Sequence, residues 1–178
     1  MNVFGIPEEL SGPLPDISQM ILLPPGGPGR LWIASNLGDA LRTLRRERGW
    51  RAAIGTVDVR VEPAGVGVTP AFVLWPLGCP LSPDAELTST GVIMVAEVVA
   101  PGTAERDRDQ RPRLYARGGV PVCLVIDPVA EPASVTVHHE PADGGYRAAT
   151  RVPVGAVLRL PEPVGVDLDT SAFRTRAT

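Results

Sequence analysis

Two apolar runs separated by one charged stretch dominate the hydrophobic pattern. Val92-Ile93-Met94-Val95-Ala96 predicts a buried strand, which Glu97 interrupts and Val98-Val99 resumes at once. Pro101-Gly102 ends that strand. A charged stretch and Leu114-Tyr115-Ala116 follow, and Gly118-Gly119 leads into a second apolar strand over Val120–Ile126, closed by Asp127-Pro128. Strand, short helix, strand is the pattern of parallel strands joined by a right-handed crossover. An antiparallel or non-adjacent return of the second strand is the alternative.

The flanking segments are shorter and more broken. In Met1–Gly29 the prolines at 7, 13, 15, 24, 25 and 28 oppose a long helix, leaving an irregular segment over residues 1–30 with a short strand at Ile21-Leu22-Leu23. Its acids Glu8, Glu9 and Asp16 read as solvated. Ser35–Arg48 predicts the first helix. Ser35 or Asn36 caps it, Leu37, Ala40, Leu41 and Leu44 form its apolar stripe, and Gly49 ends it.

Ala52–Glu62 alternates as one strand, with Val57, Val59 and Val61 on one face. Val66–Trp75 is a further strand in which Pro70 requires an edge, a start or a bulge. Leu77–Thr90 reads as a loop able to overhang a cleft. Ser134–Glu140 and Tyr146–Val152 form a hairpin around Gly144-Gly145, Val157–Leu160 is another short strand, and Val164–Asp169 closes the fold before a frayed tail with Arg174 and Arg176. The expected architecture is an α/β domain, a mixed, curved sheet with few helices.

Composition narrows the function. The chain of 178 residues fits one domain, and an apolar fraction of 44% supports a core. A formal net charge of -3 opposes broad attraction to nucleic acid but leaves room for a local basic patch. All 17 basic residues are arginine; lysine is absent. Cys79 and Cys123 have no Cys-x-x-Cys spacing, so neither a zinc knuckle nor a thioredoxin-like motif is indicated. No secretory leader and no apolar run of membrane-spanning length are present, which makes the cytoplasm the expected compartment.

Glu97 is the leading chemical candidate, because a carboxylate between apolar neighbours must be paired, hydrogen-bonded or metal-bound. It either pairs with an arginine in the core or ligates a divalent cation. Asp107 and Asp109 suit helix capping as well as chemistry. Asp107, Arg111 and Tyr115 are spaced by four and would share one helix face. Pro112 opposes this, since it favours a helix starting between Asp109 and Pro112, with Asp107 and Arg111 in the lead-in. The adjacent His138 and His139 point to opposite faces of a strand and cannot form a simple metal pair. Gly-x-Ser-x-Gly, Gly-x-Gly-x-x-Gly and lysine-bearing phosphate loops are absent. The cluster Arg42, Arg45, Arg46, Arg48 and Arg51 reads as a solvated helix face at the favourable end of the dipole, or as a set of phosphate contacts.

The stretch VAEVVAPGTAERDRDQRPRLYARGGVPVCLVIDP resembles the core signature of the Uma2-like family, also called DUF820, of the PD-(D/E)XK nuclease superfamily. Glu97-Val98 matches the strand carboxylate, Asp107 and Tyr115 the helix positions, and Gly119-Val120-Pro121 and Asp127-Pro128 the rest. The resemblance implies a restriction-endonuclease-like core and metal-dependent phosphodiester hydrolysis. It also implies Glu97, Asp107, Arg111 and Tyr115 as site residues, Glu97 as metal ligand, and Arg42, Arg45, Arg46 and Arg51 as nucleic-acid contacts. DNA is the implied partner and a homodimer the implied assembly.

The departures are chemical. Ala100-Pro101-Gly102 replaces Ser-Pro-Ser, Pro70-Ala71 stands where the family has Pro-Asp, and the family's lysine falls at Arg111. One carboxylate holds Mg2+ poorly, so no tightly bound cofactor is expected, and Mg2+ enters only if activity survives. Glu97 is expected to pair with Arg111 or another arginine, or, if Pro112 turns Arg111 away, to bond to Tyr115, to backbone N–H groups or to water. Three readings follow: an endonuclease, a silent nuclease fold serving as a binding or assembly partner, and a divergent enzyme acting on a small substrate.

Overall fold

The computed structural model describes residues 27–174. Helix α1 (Gly27–Ala40) and helix α2 (Arg42–Arg48) precede strands β1 (Trp50–Ile54), β2 (Val59–Val61), β3 (Val66–Val68), β4 (Phe72–Pro76), β5 (Leu87–Thr88) and β6 (Met94–Val98). A π-helical turn over Arg106–Gln110 then runs into α3 (Arg111–Arg117). Strands β7 (Val122–Asp127), β8 (Ser134–Ala142), β9 (Gly145–Pro153), β10 (Val157–Arg159) and β11 (Asp167–Asp169) complete the order.

The main sheet has the order β1-β4-β6-β7-β8-β9. Only β6 and β7 pair in parallel; the other neighbours are antiparallel, so the sheet is mixed. Strands β8 and β9 are antiparallel neighbours joined through Asp143 and Gly144. Every residue of β6 and β7 is buried, because both faces of the sheet are covered. On one face α1 lays Ile33, Ala34 and Leu37 against Phe72, Met94, Ala96 and Val98, and the strand pair β10-β11 with Phe173 extends that core. On the other face Tyr115 of α3 and the small sheet β3-β2-β5 pack against Val73, Val95, Cys123 and Val125. Glu97 alternates with Ala96 and Val98, so it falls on this second face. At the end of α3, a Cβ on Gly118 would stand 2.7 Å from Ser89 Oγ and Val61 Cγ1, which is why the helix can close against the small sheet.

Several sequence expectations need correction. The first helix begins at Gly27, within the segment expected to be irregular, because Pro28 occupies the opening turn, where it has no hydrogen bond to break. It is interrupted at Leu41, so the expected helix over Ser35–Arg48 is two helices. The single strand expected over Ala52–Glu62 is two strands in different sheets, separated after Gly55, whose φ is 59°. Pro70 likewise divides β3 from β4, and the loop over Leu77–Thr90 contains β5. The strand expected at Ile21–Leu23, the acids Glu8, Glu9 and Asp16, and Arg176 lie outside the described residues.

Pro112 does not start the helix after β6. The chain is already helical ahead of it, and the Arg111 N–H donates to Arg106 O across a widened π turn. Such a turn relieves the clash that a proline ring makes with the carbonyl of the preceding turn in a regular helix.

Candidate functional site

The widened turn decides where three side chains go. Asp107 and Tyr115 both point inward and are fully buried, while Arg108, next to Asp107, turns away toward β7. Glu97 meets Tyr115 at the carboxyl end of β6. The Tyr115 hydroxyl donates to Glu97 Oε1 at 2.7 Å, and Arg30 Nη2 donates to Glu97 Oε2 at 2.8 Å. Arg111 Nε lies 3.9 Å from Glu97 Oε1, within ion-pair range but too far for a hydrogen bond. One nitrogen of the same guanidinium, Nη1, is buried without a hydrogen-bond partner among the described residues.

Glu97 has no exposed surface and Arg30 only 9%. Burial pushes the Glu97 carboxyl above its ordinary range, against the lowering pull of Tyr115, Arg111 and Arg30; nearby Asp107 adds to the rise. Burial also pushes the Tyr115 phenol well up, and the adjacent Glu97 reinforces this. Tyr115 is therefore a hydrogen-bond donor and not a base. Asp107 accepts from Arg106 Nε at 3.0 Å and from Thr103 Oγ1.

The structure thus gathers Glu97, Asp107, Arg111 and Tyr115 in one neighbourhood. It leaves Arg42, Arg45, Arg46 and Arg51 on α2 and β1, at the sheet edge that β4 separates from β6. Arg42 pairs with Asp39, Arg45 Nη1 donates to Gly38 O at 3.3 Å, and Arg48 stacks 5.6 Å from the Trp50 ring centroid. Sequence reasoning missed Arg30. Its signal lay in the spacing Arg30, Ile33, Ala34, Leu37, an arginine on an apolar stripe, hidden by the prolines just before it. The nearest cationic partner of Glu97 is this residue and not Arg111.

A family model described as Uma2, "Putative restriction endonuclease", matches residues 18–171. The chain belongs to the Uma2 family. A crystal structure of a protein titled a "putative nuclease belonging to DUF820", from Anabaena variabilis, superposes with a TM-score of 0.61 at 14% identity. The match covers 82% of this chain and 79% of that one. At that identity the likeness carries the fold alone. No curated protein matches the sequence.

Membership in the Uma2 family raises the question of a divalent cation, and the residues present do not fit one. Mg2+ asks for near-octahedral oxygen donors, usually with one or two carboxylates free to bind. Both Glu97 oxygens are already engaged. Phe72 pairs with Ala96, so Ala71 is the register position beside Glu97, and it brings a methyl group where the Uma2 resemblance has an acid. Among the described residues no group of three His, Cys, Asp or Glu side chains could hold a metal. Also among the described residues, no helix is long and apolar enough to cross a membrane.

Proposed function

We propose that this Uma2-family chain keeps the nuclease-like fold as a binding or assembly module and does not hydrolyse phosphodiesters with a metal ion. The observation that supports this reading is the occupation of both Glu97 oxygens by Arg30 and Tyr115, beside Ala71. A guanidinium satisfies a carboxylate by directional, charge-assisted hydrogen bonds and needs no second acid, so it competes with a cation for the same oxygens.

The test is cleavage of plasmid DNA, single-stranded DNA and RNA with Mg2+ or Mn2+. Expected is no cleavage above that of Glu97→Ala, and no metal binding by calorimetry at micromolar concentrations. A second arm removes the competitor and restores the acid: Arg30→Met with Ala71→Asp should raise Mg2+ affinity above that of the unmodified chain. Family membership favours a second reading, metal-dependent hydrolysis of nucleic acid at Glu97. Cleavage by the unmodified chain that disappears in Glu97→Ala would establish that reading and remove the first.

A further inference from the structure

The face of the main sheet that carries Glu97 continues across β7, β8 and β9, and its register lines up a second set of polar side chains. Val125 pairs with Thr136 and Thr136 with Arg151; Asp127 pairs with Ser134, and Cys123 with His138. Cross-strand partners share a face. With Arg108 reaching over from the π turn, Val125, Asp127, Ser134, Thr136, His138 and Arg151 line a cavity of about 490 Å³. That volume lies in the range of small-ligand sites, ~300–1,000 Å³.

The charges inside do not cancel. Arg108 grips Asp127 with both arms of its fork, Nε to Oδ2 at 2.7 Å and Nη2 to Oδ1 at 3.2 Å. The Ala130 N–H also donates to Asp127 Oδ1, at 3.0 Å, so this acid is fully used within the wall. Arg151 donates only Nε, to Ser134 Oγ at 3.0 Å, and has no carboxylate within ion-pair distance among the described residues. Burial and the neighbouring His139 push His138 below its ordinary value, so at neutral pH it is an uncharged donor and acceptor. The cavity therefore holds one uncompensated guanidinium, the Thr136 hydroxyl and an imidazole, and its only carboxylate is already neutralised.

We propose that this cavity binds a phosphate group, held by Arg151 with Thr136 and His138, and carried by a small molecule such as a nucleoside monophosphate. Arg151 has both terminal nitrogens left for a planar two-oxygen contact, while the hydroxyl and imidazole face further acceptor oxygens. Three kinds of donor suit the three oxygens of a phosphate monoester better than the two of a carboxylate. The cavity is larger than phosphate alone fills. The inference deepens the binding reading above and rests on it. It does not involve Glu97 or a metal, so the two can fail separately.

The experiment is calorimetric titration of the full chain with inorganic phosphate and with 5′-AMP, in metal-free buffer. Saturable binding of 5′-AMP, weakened at least about tenfold by Arg151→Gln and by Thr136→Val, is expected; tenfold corresponds to ~1.4 kcal/mol, about one charge-assisted hydrogen bond. Arg159→Gln, on the exposed face of the β10-β11 pair, should leave it unchanged. Tighter binding of 5′-AMP than of phosphate supports a nucleoside phosphate ligand, and equal affinity supports free phosphate as the ligand. Binding of neither probe overturns the proposal. So does binding unaffected by either cavity variant while their melting temperatures match that of the unmodified chain.

Discussion

Asp107 and Arg108 are neighbours in the chain and belong to opposite kinds of site. Asp107 points into the sealed cluster around Glu97, where Arg30, Tyr115, Thr103 and Arg106 occupy the carboxylate oxygens. Arg108 points into the open cavity on β7–β9, where a guanidinium is left over once Asp127 is neutralised. The two share one face of one sheet. A buried acid whose oxygens are met by internal donors has little capacity left for an outside partner. An exposed guanidinium without an acid, such as that of Arg151, has capacity left for a ligand. Binding potential follows from unmet hydrogen-bonding and charge, not from how unusual a residue looks in the sequence.

The comparison breaks most sharply if the Glu97 cluster is cut. Glu97→Ala leaves the Tyr115 hydroxyl buried without its acceptor and removes a charged partner of Arg30, and Arg30→Met leaves the carboxylate without its closest cation. Each should lower unfolding stability by ~3–5 kcal/mol in urea titrations. Losses below about 1 kcal/mol would mean that the cluster is hydrated and accessible after all.

Tyr115→Phe removes one hydrogen bond to a charged acceptor and keeps the ring, so ~1.5–3 kcal/mol is expected by the same measurement. Arg111→Met should change stability by less than about 1 kcal/mol, although Arg111 sits in the same cluster. It gives up an attraction acting over 3.9 Å and removes a buried nitrogen that has no partner among the described residues. A loss as large as that of Arg30→Met would show that Arg111 is the true counter-ion.

The finest test uses pH. Burial raises the Glu97 pKa above its unfolded value, so the folded state holds this proton more tightly than the unfolded chain does. The resulting stabilisation is full below the ordinary carboxylate value and is lost as pH rises through the raised one. The stability of the unmodified protein relative to Glu97→Gln should therefore fall as pH increases from about 4 toward neutrality. A relative gain over that range would mean that the guanidinium groups outweigh burial.

Part of this molecule was legible from local pattern alone. The apolar runs at Val92–Val99 and Val120–Ile126 supply the strands Met94–Val98 and Val122–Asp127, buried on both faces, and the helix between them carries them into parallel pairing. The need of Glu97 for a partner followed from its apolar neighbours. The identity of that partner did not. Arg30 is 67 residues away, on a helix that local proline content argued against, and only packing on the sheet brings it to Oε2. Likewise the period-two run through Val57–Val61 matches a single strand locally, yet the chain turns at Gly55 and sends β2 to another sheet. The cavity is more remote still from the linear pattern. Thr136 and His138 share one face of a strand by their spacing, but only the register of three strands and one widened helical turn sets Arg108 and Arg151 around the same space. Periodicity and burial cost act between near neighbours and can be read from sequence. Which charges neutralise each other depends on distances that exist only once the sheet is assembled.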